Sequence, residues 1–208
     1  MTVTELKKNV RLKKLTEVYI DYEYAFSLYD NELSFFGISD GAFITDENYE
    51  KIIKKLNKNA LNDALKMVAR ADQTKKLIED KLFVKKYPKE VIDAAISYVC
   101  EKGFVDDVQY ARDFVKASFK KGKGKRFVEF ELKKRGITEE VYGEIICEFY
   151  DEKSILEVAE AKFNSIIKNK DVPEYKDFAK LRDYLIRQGF GYEEVSDALA
   201  NMKGKFYD

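Results

Sequence analysis

Three stretches of this chain share one pattern. Lys81-Leu-Phe-Val-Lys-Lys-Tyr-Pro-Lys-Glu-Val91, Lys134-Arg-Gly-Ile-Thr-Glu-Glu-Val141 and Arg187-Gln-Gly-Phe-Gly-Tyr-Glu-Glu-Val195 each close a helical segment on a basic residue, turn, and open another with an acidic residue ahead of valine. The valines stand 50 and 54 residues apart. A period of that size with about three helices per unit indicates a solenoid-like array of tandem repeats. A unit this short buries little apolar surface alone, so stacked neighbours are expected to share a core.

Within each repeat, apolar residues recur at spacings of three, four and seven, which puts each set on one helical stripe. In the first repeat the stripes are Leu61, Leu65, Val68; Leu77, Ile78, Leu82; and Val91, Ala95, Tyr98, Val99. The second carries Tyr110, Phe114, Ser118; Phe127, Val128, Leu132; and Val141, Ile145, Phe149. The third has Ile155, Ala159, Phe163, Ile166; Phe178, Leu181, Leu185; and Val195, Leu199, Met202. Gly103, Gly136 and Gly189 fall just past helix ends, where a left-handed residue closes a helix. Pro88 sits at the first turn of its helix, where its missing N–H costs nothing.

The N-terminal part reads differently. Residues 1–14 are polar and basic (Lys7, Lys8, Arg11, Lys13, Lys14) and are expected to form a loose arm. Val18, Ile20, Tyr22, Tyr24, Phe26 and Leu28 are apolar at every second position, with polar turn candidates at Asp21-Tyr22-Glu23 and Asp30-Asn31-Glu32. With Leu33–Phe36 as a third short strand, residues 15–44 read as a β-meander. Thr45 then caps a helix from Asp46 to about Asn57, ending at the polar break Asn57-Lys58-Asn59. The expected architecture is mainly α. A small N-terminal domain (1–58) of meander plus helix leads into three-helix repeats at 59–105, 106–152 and 153–208, in an elongated array.

Charge and composition narrow the function. Lys plus Arg and Asp plus Glu balance at 38 each, so the chain has no strongly basic footprint for nucleic acid. This favours a protein partner, or protein plus DNA, over DNA alone. The complete absence of histidine removes Ser-His-Asp and Cys-His nucleophilic schemes and the common zinc sites. Carboxylate-held magnesium is left open by composition. The expected reading is no enzyme and no cofactor. No apolar run is long enough to span a membrane, and no signal-peptide core is present. Cys100 and Cys147 lie in no motif, on apolar helical stretches, and read as reduced, buried thiols of a cytoplasmic protein.

Local basic clusters are the candidate contacts. Lys120, Lys121, Lys123, Lys125 and Arg126 surround two glycines, and a flexible basic loop opening a helix suits phosphate. The alternative is a solvated interhelical loop. Lys133, Lys134 and Arg135 end the same helix, where their plainer role is to complement its dipole. Lys51, Lys54, Lys55 and Lys58 share one helix face, more often a solvated one. Asp106 and Asp107 could pair on a metal, but the stronger reading has Asp106 capping a helix and Asp107 meeting its dipole. Tyr19, Tyr22, Tyr24, Tyr29, Phe35 and Phe36 could stack bases, although filling the only core of a small sheet is the stronger reading.

These strings resemble the RecX family. Its Gly-Phe/Tyr-x-Asp-Asp-x-x-Tyr-Ala motif is matched at residues 103–111. Its Gly-x-Arg-x-Ile-x-x-Glu-Leu-x-x-Lys-Gly-Ile motif runs from Gly124 to Ile137, with Val128 for Ile and Arg135 for Lys. The family's Ala-rich first helix is matched by Ala60, Leu61, Ala64, Leu65, Arg70, Thr74 and Leu77, while Lys76 stands where Glu is usual. The resemblance covers nearly all of residues 15–203 and is weakest in the third repeat. It implies a curved array of three-helix repeats with a small N-terminal domain, in a regulator, mainly an inhibitor, of the RecA recombinase in homologous recombination, DNA repair and the SOS response; a monomer is the expected state. Such a protein binds the RecA filament on single-stranded DNA and suppresses filament growth, ATP hydrolysis, strand exchange and coprotease action, touching DNA weakly or through RecA. A DNA-binding helical module acting without RecA is the alternative; a metal-dependent nuclease at Asp106 and Asp107 and a plain interaction scaffold are further ones.

Overall fold

In the computed structural model, which describes residues 1–150, 152–168 and 172–207, the described residues form three strands and ten helices. They gather into two compact units, Met1–Asp106 and Asp107–Asp208. No helix among them is long and apolar enough to cross a membrane.

The first unit opens with an antiparallel sheet of β1 (Val3–Lys8), β2 (Leu15–Ile20) and β3 (Glu23–Tyr29), in that order. Residues 3–8 of the stretch expected to be a loose basic arm are therefore a strand. Val3 and the half-buried Leu6 point into the core while Lys7 and Lys8 stay in solvent, and such charges suit an edge strand. Its free side is closed by the segment at Gly41–Ala42: Val3 N–H donates to Ala42 O at 2.9 Å, and Gly41 N–H donates back to Val3 O at 3.0 Å. Strand β2 is central, with Val18 opposite Leu6 on one side and Phe26 on the other. The β2–β3 turn sets Asp21 and Tyr22 at φ +49° and +71°, the left-handed pair that a tight two-residue hairpin needs. β1 supports this strained turn, because Thr4 Oγ1 accepts from Tyr22 N–H at 2.9 Å.

The expected third strand is absent. Asp30–Phe36 is a short helix, α1, whose start is fixed by the Glu32 carboxylate accepting from Tyr29 N–H at 3.1 Å. The meander thus spans residues 3–29 and not 15–44. Core filling does not account for most of the six aromatic residues: Phe36 packs half-buried against the core, whereas Tyr22 and Phe35 are 89% and 81% exposed, and Tyr24 and Tyr29 are exposed as well. The break expected at Asn57–Asn59 is also absent. Helix α2 runs unbroken over Asp46–Val68, so the boundary expected at residue 58 falls inside it. Ile52, Leu56, Ala60 and Ala64 are all buried at i, i+4 steps through that point, and this packing outweighs the weak helix propensity of asparagine. Thr45 caps α2 as expected, accepting from Asn48 N–H at 3.2 Å.

Helices α3 (Lys75–Val84) and α4 (Lys89–Glu101) complete the unit and share one core with the sheet and α2. The tight Lys85–Tyr87 turn between them is clamped from two sides. Asp63 of α2 accepts from Lys85 Nζ at 2.7 Å and from the Tyr87 hydroxyl at 3.0 Å. From the sheet, the Tyr24 hydroxyl donates to Lys86 O, and Glu17, nearly buried, pairs with Lys86 Nζ at 3.5 Å and accepts from Asn9 Nδ2 at 2.7 Å.

In the second unit α5 (Asp107–Lys120), α6 (Lys125–Lys134) and α7 (Glu139–Phe149) surround one core, and α8 (Glu152–Ile167), α9 (Tyr175–Gln188) and α10 (Tyr192–Tyr207) surround another. The two three-helix groups do not merge their cores as expected. Each closes on its own stripe, with Val115, Val128, Leu132 and Ile146 in one and Phe163, Leu181 and Leu185 in the other. Gly103, Gly136 and Gly189 adopt φ of +69°, +76° and +94°, as their places past helix ends require. Of the two thiols, Cys100 is half-buried but Cys147 is exposed, on the outer face of α7.

A joint of backbone connects these two groups. Gly124 N–H donates to Gln188 O at 2.8 Å, and Arg126 N–H donates to Gly189 O at 3.0 Å. The carbonyls that end α9 thereby satisfy amides at the start of α6, so the negative end of one helix meets the positive end of the other. Only glycine permits the approach. A Cβ on Gly124 would lie 2.3 Å from the Gly189 carbonyl carbon, and one on Gly189 would lie 2.5 Å from Phe127 N.

Two predictions follow from this packing. Gly189→Ala should lower stability by at least about 1–3 kcal/mol, because it combines a left-handed φ with a backbone clash, whereas Gly143→Ala, inside α7 with nothing within 4 Å of its Cβ, should raise it by roughly 0.5–1 kcal/mol. Urea denaturation of the two variants beside wild type checks the opposite signs. At alkaline pH, Tyr24 gives a second test: burial raises its hydroxyl pKa to about 12, above the unfolded value of about 10. The fold therefore favours the neutral phenol, so this contribution is intact below pH about 10 and is lost as pH rises toward 12. Tyr24→Phe should flatten that alkaline decline in the urea midpoint relative to wild type.

Candidate functional site

The basic residues singled out in the sequence fall into three places, one in the first unit and two in the second. In the second unit, α5 ends at Lys120 and the chain crosses to α6 through Lys121–Gly124. That crossing is held throughout. Lys121 and Lys123 N–H both donate to Ser118 O at 3.0 Å, Gly122 N–H donates to Phe119 O at 2.9 Å, and Gly124 enters the joint with α9. The expected flexible loop is thus a fixed one. The amide of Arg126, in the first turn of α6, already donates to Gly189 O, so this helix start is not an open cradle for phosphate. What the loop offers a partner is side-chain charge.

Its five cations divide by role. Lys123 is half-buried and occupied: Nζ donates to Gln188 Oε1 at 2.9 Å and lies 4.8 Å from the Phe127 ring centre. Lys120, Lys121, Lys125 and Arg126 are exposed. Arg126 sits over the Tyr192 ring at 5.6 Å, and Tyr192 is itself 68% exposed. Among the described residues none of these four cations has an ion-pair partner within 4.0 Å. Here α5, α6 and α10 contribute to one cationic edge with an aromatic ring in it. Sequence reasoning had no reason to single out Gln188 or Tyr192. The one signal was the Arg187-Gln-Gly-Phe string, which reads equally well as an ordinary helix end.

At the far end of α6, about 15 Å along a ten-residue helix, the three cations are less alike. Arg135 is half-buried and structural. Its guanidinium pairs with Glu131, donates to the Tyr110 hydroxyl at 3.1 Å and lies 4.6 Å from the Phe114 ring centre. Lys133 is exposed, 4.0 Å from Glu139 and 6.0 Å from the Tyr142 ring centre. Lys134 is exposed.

The third place is α2 in the first unit. Lys51, Lys54, Lys55 and Lys58 are exposed on one face, as expected, but two are partly neutralised: Lys51 by Glu47 at 2.6 Å and Lys55 by Glu32 at 3.7 Å. Asp106 and Asp107 lie where the cap reading puts them, since α5 opens at Asp107. Among the described residues no three side chains of His, Cys, Asp or Glu converge as a metal would need.

A family model for the second three-helix domain of RecX matches residues 106–144, which carry most of the sequence motifs. A regulatory protein RecX of Clostridium botulinum is 32% identical over 205 residues, covering 95% of this chain and 94% of its own length. A second, from Caldanaerobacter subterraneus subsp. tengcongensis, is 30% identical over 200 residues, covering 96% and 98%. The crystal structure of a regulatory protein RecX shares the fold with a TM-score of 0.60 at 21% identity, over 94% of this chain and 98% of that one. RecX from Lactobacillus salivarius gives 0.62 at 20% identity over 72% and 98%. With identity of this level spread along the full length of its relatives, the chain belongs to the RecX family of regulatory proteins.

Proposed function

We propose that this protein restrains the RecA recombinase by binding the RecA filament on single-stranded DNA and suppressing its growth, ATP hydrolysis, strand exchange and coprotease action. Family membership supports the target. The observation that carries the mechanism is the α6–α9 joint, which holds Lys120, Lys121, Lys125 and Arg126 in a fixed arrangement across two three-helix groups. A preset array of cations meets an acidic protein surface or a phosphate backbone without first ordering a loop, so less entropy opposes binding. The protein is formally neutral, which limits indiscriminate attraction to nucleic acid. The three-helix groups α2–α4, α5–α7 and α8–α10 are the proposed modules for spanning neighbouring RecA subunits. The protein acts as a cytoplasmic monomer and supports no catalysis of its own.

The test is titration into RecA assembled on single-stranded DNA, following ATP hydrolysis, with bare DNA read by anisotropy as the control. Hydrolysis should fall at protein concentrations well below those that bind bare DNA. Combined charge reversal at Lys120, Lys121, Lys125 and Arg126 should raise the concentration needed by about tenfold or more, and added salt should do the same to wild type. Unchanged inhibition by that variant would remove the loop from the mechanism. Tight binding to bare DNA with no effect on hydrolysis would instead favour a DNA-binding module acting without RecA.

A further inference from the structure

In the first unit, the β1–β2 loop, the C-terminal end of α2 and the outer side of α3 enclose a groove of about 860 Å³. Its floor is aliphatic, formed by Leu12, Met67 and Val84, and Lys66, Arg70 and Lys81 stand along it. The loop is built to hold Leu12 in place. Asn9 Oδ1 accepts from Arg11 N–H at 3.0 Å and from Leu12 N–H at 2.7 Å, and Leu15 N–H donates to Leu12 O at 2.7 Å. Arg11 and Lys13, on either side of Leu12, are exposed.

The groove carries a surplus of positive charge, with Lys66, Arg70, Lys81 and Lys85 against Asp63 and Asp80. Two acids line it, and both are taken: Asp63 by Lys85 at 2.7 Å and Asp80 by Lys76 at 2.9 Å. Lys81 Nζ donates to the neutral Gln73 Oε1 at 2.6 Å. Lys66 and Arg70 are exposed, and among the described residues neither has an ion-pair partner. In a chain with balanced charge this local surplus is a specific feature, and the low-dielectric wall of the groove strengthens its field. The floor selects the occupant. No aromatic ring lines the groove, so bases would find no stacking platform, while aliphatic side chains would cover Leu12, Met67 and Val84 and leave water.

We propose that this groove docks an acidic polypeptide segment that also carries apolar side chains. Its carboxylates lie along Lys66, Arg70 and Lys81, and its apolar side chains seat on the Leu12–Met67–Val84 floor. The proposal does not depend on the RecA reading, and its test contains no RecA.

A short fluorescein-labelled peptide alternating glutamate with leucine is titrated with the full-length protein and followed by anisotropy. A glutamate–serine peptide and oligo(dT) serve as competitors. The glutamate–leucine peptide should bind, the glutamate–serine peptide should compete more weakly, and oligo(dT) should compete least. Lys66→Glu with Arg70→Glu, both solvent-exposed, should weaken binding about tenfold or more, and Val84→Ser should weaken it with less change in salt dependence. If the double variant loses its fold by circular dichroism, Lys81→Glu replaces it. Absence of binding by the glutamate–leucine peptide, or binding unchanged in the charge variants, overturns the proposal. So does oligo(dT) displacing the peptide more effectively than the glutamate–serine peptide, which would make the groove a nucleic-acid site.

Discussion

The second unit depends on one contact between backbones, where the carbonyls of Gln188 and Gly189 accept the amides of Gly124 and Arg126. Every helix leaves unsatisfied carbonyls at one end and amides at the other. Most are met by caps or water, but here the end of α9 and the start of α6 meet each other. Each bond is worth only about 0.5–1.5 kcal/mol net. The larger consequence is positional: two three-helix groups with separate cores are joined through their backbones. The same bonds fix the basic crossing between α5 and α6, so the candidate site and the joint are one piece of structure.

The first unit solves a related problem by different means. Its three-helix group shares a core with the sheet, and the α3–α4 turn is the hub. Lys85 and Tyr87 are drawn to Asp63 of α2, while Lys86, in a left-handed conformation, is held by Tyr24 and Glu17 of the sheet. A nearly buried carboxylate such as Glu17 is tolerable only because an amide, a hydroxyl and an ammonium surround it. The sheet is thus tied to this turn by specific polar contacts as well as by apolar burial.

Charge in this protein is informative through its distribution and not its sum. Many of the lysines and arginines are spent inside the fold: Arg135 braces α5 and α6, Lys123 supports the joint, and Lys85 and Lys86 clamp a turn. Among the described residues, cations without an ion-pair partner include Lys120, Lys121, Lys125 and Arg126 at the α5–α6 crossing and Lys66 and Arg70 at the α2–α3 groove. Both are places where the backbone is held independently of the charged side chains, so those side chains are not needed for folding and remain available for binding.

Much of the helical part was legible in the sequence because a three-and-four spacing of apolar residues is a local property. The stripes through Ile78 and Leu82, Val128 and Leu132, and Leu181 and Leu185 are the ones that become buried, and the glycines at 103, 136 and 189 are left-handed because the chain must turn there. Errors arose where distant partners decide. The segment before Lys8 is a strand because Leu15–Ile20 and Gly41–Ile44 pair with its two sides. Helix α2 passes through Asn57 and Asn59 because buried residues on either side hold it, and Asn59 finds Glu32. For the candidate site, sequence marked the cations but not their fates. The repeat period, the capping positions and the basic clusters follow from residue order alone, since neighbours along the chain define them. Which glycines touch, which lysines keep their charge free and which carboxylates are buried were decided by tertiary structure, because those outcomes depend on atoms brought together from residues far apart in sequence.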